Sequence, residues 1–75
     1  MAKFRKKPIV IEAVQWHPDL IHPGVNLDKS GPFVTTVHGE PAHLTDGDWI
    51  IPEPMEGRFY PCKDDIFRAT YDEVS

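Results

Sequence analysis

Residues 9 to 16, Ile9-Val10-Ile11-Glu12-Ala13-Val14-Gln15-Trp16, carry the first regular pattern in the chain. Ile9, Ile11 and Ala13 fall on one face of an extended segment, and Val10, Val14 and Trp16 on the other beside Glu12. Both faces are partly apolar, which predicts a strand that is central or covered on both sides. Pro8 at its entry costs no ladder bond if its nitrogen faces outward. Phe33-Val34-Thr35-Thr36-Val37 is rich in β-branched residues and predicts a second strand. His38-Gly39-Glu40 is turn-like, and residues 41 to 44 return as a short edge strand. Asp46-Gly47 is a hairpin signal, followed by a strand over Asp48-Trp49-Ile50-Ile51 that Pro52 and Pro54 stop. Glu56-Gly57 turns the chain into Arg58-Phe59-Tyr60, ended by Pro61. Ile66, Phe67, Thr70 and Tyr71 then recur at the spacing of one helix face, with Asp64 and Asp65 complementing the dipole of its first turn.

Between the first two strands the pattern breaks. Pro18, Pro23, Pro32, Gly24 and Gly31 forbid a long helix over residues 17–32. Leu20, Ile21, Val25 and Leu27 are too apolar for a purely solvated linker. A loop of this length in a small domain is often functional or mobile. The elements together predict an α+β fold: a small curved antiparallel β-sheet or partial barrel closed on one side by a short C-terminal helix. Trp49, Ile51, Phe59, Ile66, Phe67 and the odd-numbered face of the first strand form its expected core. A lone hairpin is not stable in water, so the first strand and the helix are needed to cover it.

Seventy-five residues make one domain, 1–75, with a core of only marginal size. Cys62 is the single cysteine, which excludes a disulfide framework and fits a reducing cytoplasm. No apolar run approaches the roughly 20 residues of a membrane span, and Met1 to Pro8 is not a signal peptide. The expectation is a soluble, cytoplasmic protein. The net charge of −4 is unevenly spread: Lys3, Arg5, Lys6 and Lys7 make a basic arm over residues 1–7, and the remaining chain balances to −8. Such an arm can touch phosphate, while the acidic body repels nucleic acid and suits a basic protein surface.

Lys3-Phe4-Arg5-Lys6-Lys7-Pro8 running into the first strand, Gly47-Asp48-Trp49-Ile50, Phe59-Tyr60-Pro61-Cys62-Lys63, Ile66-Phe67 and Thr70-Tyr71 occur in that order. This set resembles a family of small phage and prophage proteins, loosely the PGDYG family. The turn here is Thr45-Asp46-Gly47-Asp48-Trp49, an imperfect form of the namesake motif, and the proline-broken 17–32 loop replaces a longer, more helical segment. The resemblance implies a phage or prophage source and the cytoplasm of a bacterial host, and brings no activity with it.

Candidate chemistry is sparse. Cys62 precedes the predicted helix, where backbone dipoles can lower a thiol pKa, and His38 or His43 could serve as its base. A small thiol packed under the helix is the simpler explanation. His17 and His22, like His38 and His43, are five residues apart, which is not a helical zinc pair; surface histidines explain them better than a site built with Cys62. Asp46, Asp48, Glu53 and Glu56 crowd the turns, where local backbone bonding and solvation account for them without a cation. No cofactor or metal is expected. Trp16, at a strand end beside the long loop, is the aromatic best placed for an interface. The expected function is therefore a non-catalytic protein-binding module with its contacts at Trp16, His17, Leu20, Ile21, Val25 and Leu27. The alternative is a small β module binding nucleic acid or nucleotide through Lys3, Arg5, Lys6 and Lys7. An exposed edge over residues 41–44 offers a route to a homodimer.

Overall fold

A computed structural model describes residues 1–5 and 9–74. The described residues form six short strands and one helix: β1 (Val14–Gln15), β2 (Asn26–Asp28), β3 (Gly31–Thr35), β4 (Pro41–His43), β5 (Trp49–Pro52), β6 (Phe59–Cys62) and α1 (Asp64–Thr70). These form two antiparallel three-stranded sheets, ordered β1-β5-β6 and β2-β3-β4. The α+β class and the C-terminal helix are present. The single curved sheet or partial barrel is not: the sheets do not close on one another into a barrel.

The 17–32 segment is the reason for the second sheet. It contains β2, paired with β3 through Asn26↔Phe33, Leu27↔Pro32 and Asp28↔Gly31. Asp28 Oδ1 accepts the Ser30 N–H at 2.8 Å, and Gly31 takes a φ of 115°. Aspartate bonding two residues ahead and glycine at positive φ are the chemistry of a tight turn. An expected loop is thus a turn-rich approach followed by a hairpin.

Asp46-Gly47 does turn the chain, but it does not make a hairpin. Gly47 has a φ of 91°, and its N–H donates to the Trp16 carbonyl at 2.8 Å. Trp16 N–H in turn donates to the Asp48 carbonyl at 2.7 Å. The turn therefore carries the chain out of the β2-β3-β4 sheet and lays β5 beside β1. The expected Glu56-Gly57 turn joins β5 to β6, with Gly57 at a φ of 79°.

The expected strand over Ile9 to Trp16 shrinks to two paired residues, Val14↔Ile50 and Gln15↔Trp49. Extending that register would place Glu12 opposite Pro52, which has no N–H for a ladder. Ile9 and Val10 are exposed, and Ile11 and Ala13 only half-buried. The core lies instead between the sheets, where Trp16, Val34, Leu44 and Ile50 pack together with Val25, Ala42 and Phe59 against them. Ile51 is also buried. Ile66 is 57% exposed, contrary to its expected core position, and α1 buries no residue fully. A helix of seven residues docks by its Phe67 ring, stacked on Trp49 with centroids 4.2 Å apart, and by Asp64, which accepts from Trp49 Nε1. No helix among the described residues is long and apolar enough to cross a membrane.

Candidate functional site

Position decides which of the six expected contact residues face solvent. Trp16 is 6% exposed and belongs to the core, so it cannot serve as the surface anchor the sequence suggested. Val25 is half-buried against that core. His17 is exposed and pairs with Asp46 through Nδ1 at 2.7 Å. Leu20 is only just exposed, in a turn closed by its N–H to the His17 carbonyl at 2.9 Å. Ile21 and Leu27 are 95% and 79% exposed. Two apolar side chains therefore stand in water on a segment whose backbone is held by turns and by β2.

The ordering of that segment is local. His22 Nδ1 accepts the Gly24 N–H at 3.0 Å, and the His22 ring meets Phe59 edge-on at 5.1 Å. A Cβ on Gly24 would lie 2.4 Å from Phe59 Cε2, so this position requires glycine. Leu27 sits on β2, which is the outer strand of its sheet and has no second strand partner among the described residues. On the far side, His43 Nε2 of β4 pairs with Asp28 Oδ1 of β2 at 2.9 Å, spanning the intervening β3. That contact, led by the His43 hydrogen bond, holds the Asp28 carboxyl below its usual range.

The other candidate residues resolve into structural roles. Cys62 is half-buried, and its thiol donates to the Lys63 carbonyl at 3.6 Å. Burial, and then the Asp48 and Asp65 carboxylates, push the thiol pKa up, the opposite of nucleophile activation. His43 is engaged by Asp28, and His38 is exposed in the β3–β4 turn. No group of three or more His, Cys, Asp or Glu side chains able to hold a metal occurs among the described residues. Asp46 bonds His17. Asp48 is 3% exposed: its Oδ2 accepts the Thr45 N–H at 2.9 Å, and Lys63 Nζ lies 3.2 Å from its Oδ1. The turn chemistry expected for Asp48 is present, but its lysine partner 15 residues away carries no sequence signal. In the basic arm, Lys3 and Arg5 are exposed. Lys6 and Lys7 lie outside the described residues.

A groove of about 800 Å³ lies between Ile9–Ala13, the Trp49 ring, α1 and residues 71–74. Its floor is a ladder of rings, Trp49 on Phe67 and Phe67 on Tyr71 with centroids 4.9 Å apart. Asp64 anchors this ladder. Its Oδ1 accepts from Trp49 Nε1 at 2.8 Å, Arg68 Nε at 2.8 Å and Gln15 Nε2 at 3.3 Å. Those bonds, the Trp49 one foremost, lower the Asp64 pKa. Outside the groove's lining, the Tyr60 hydroxyl lies 3.5 Å from that of Tyr71, and burial pushes its pKa up. The sequence reading missed this groove, although Trp49, Phe67 and Tyr71 were its visible parts.

In comparison with known proteins, the chain matches no family model, and neither a curated protein nor a solved structure matches it.

Proposed function

We propose that the chain is a non-catalytic protein-binding module, a phage-encoded accessory protein that acts on a host factor in the bacterial cytoplasm. The observation that carries this reading is the exposure of Ile21 and of Leu27, the latter on the outer strand β2. An exposed edge offers unpaired N–H and C=O groups to an added strand, and the two side chains offer apolar surface that gains about 25 cal/mol per Å² when covered. The acidic balance of the chain beyond residue 7 selects a basic partner surface and speeds encounter with it. The phage origin rests on the resemblance of the opening and closing sequence blocks.

The test is retention of a partner from nuclease-treated bacterial lysate on immobilised protein. Wild type should hold one host protein at stoichiometric amount. Ile21→Glu with Leu27→Glu should weaken retention at least about 100-fold, since each buried aliphatic side chain contributes about 1.5–3 kcal/mol. Cys62→Ala should leave it unchanged. Equal retention by the double variant would overturn the assignment of the surface. Retention found only when the nuclease is left out would replace it with nucleic-acid binding through the Lys3 and Arg5 arm.

A further inference from the structure

The groove over the Trp49 ladder presents two chemistries at once. Its floor of Trp49, Phe67 and Tyr71 is half-buried, and its rim carries the exposed carboxylates Glu12, Asp72 and Glu73. None of the three carboxylates has an ion-pair partner among the described residues. The ladder already takes a cation at one point, where the Arg68 guanidinium lies 6.0 Å from the Trp49 ring centre. A ligand suited to this groove is extended, with an apolar or aromatic side chain facing inward and cations on either side of it.

The chain itself carries such a segment. In Lys3-Phe4-Arg5 the side chains of an extended backbone alternate, so Phe4 faces one way while Lys3 and Arg5 face the other. Phe4 is 94% exposed, and neither Lys3 nor Arg5 has an ion-pair partner among the described residues. Residues 1–5 do not line the groove of their own chain. We propose that the groove receives residues 1–5 of a second copy, reciprocally, giving a closed two-fold dimer. Phe4 covers the ring ladder, and Lys3 and Arg5 meet the rim carboxylates. Exchange of identical segments is a low-cost route to a closed dimer. The edge strand opposite β2 in its sheet, β4, is three residues long and begins with Pro41, which blunts it as a pairing surface. This interface uses none of the residues assigned to the hetero-partner surface, so either reading can fail alone.

Sedimentation of the full chain from about 1 μM to about 1 mM, the range of modest interfaces, tests the exchange by charge reversal. Wild type should shift from monomer to dimer with concentration, and Phe4→Ala should weaken the dimer about 10- to 100-fold. Lys3→Glu with Arg5→Glu should be monomeric, because an acidic segment meets an acidic rim. Asp72→Lys with Glu73→Lys should also be monomeric. An equimolar mixture of the two variants should form a heterodimer, since each segment then meets a rim of opposite charge. All four positions are exposed, so the substitutions leave the core intact. A wild-type chain that stays monomeric throughout, a variant that dimerises as wild type does, or a mixture that stays monomeric would overturn the exchange.

Discussion

Asp64 and Gly24 show how single positions hold this small fold. One oxygen of Asp64 gathers donors from Trp49, Arg68 and Gln15, tying α1 to β5 and β1. Because these bonds favour the ionised form, the folded pKa lies below the ordinary 3.8. Their contribution is complete above that value and is lost as pH falls through the folded pKa. Asp28 behaves in the same sense through His43. Urea midpoints measured between pH 2 and 6 should therefore drop below pH 4, and Asp64→Asn should lower the neutral midpoint while flattening the acid slope. Gly24 is constrained by space. Gly24→Ala should cost about 1–3 kcal/mol, the range for an overpacked contact, in urea unfolding. Trp16→Ala should cost about 3–5 kcal/mol, enough to unfold much of so small a domain.

At the scale of elements, local signals were legible where one segment settles its own structure. The β-branched run at Phe33, the Pro41 edge strand, the Glu56-Gly57 turn and the helix at Ile66 and Phe67 occupy the elements expected of them, while Tyr71 falls just past the helix end in an extended conformation. What could not be read was pairing. Asp46-Gly47 has hairpin chemistry, yet its neighbours belong to different sheets because Trp16 claims Gly47 and Asp48 as backbone partners. Ile9 to Ala13 has strand composition, but Pro52 removes the donor that would extend its ladder. Asp28 and Gly31 already held a turn signature that would have revealed β2. The helix illustrates how little burial a two-turn element supplies. Phe67→Ala should red-shift tryptophan emission by uncovering Trp49 and lower stability by about 1–2 kcal/mol, half-burial giving less than a full core deletion.

For the molecule as a whole, the division between core and surface decides which side chains a partner could reach. The sequence reading put Trp16 at the centre of its expected contact surface, but that side chain packs in the core with Val34, Leu44 and Ile50. Ile21 and Leu27 remain outside, and periodicity could not separate them from core residues in a segment broken by proline. Nothing in the spacing of single residues announces a groove assembled from Glu12, Trp49, Asp72 and Glu73. The central claim is that a partner docks on the 20–28 segment. Amide hydrogen exchange, read on the protein alone and with its captured partner bound, tests it most directly. Protection should appear over residues 20–28, the loop and the β2 edge, with the interior strands β3 and β5 unchanged. Protection confined to the groove over Trp49 and α1, or no change over residues 20–28, would contradict it.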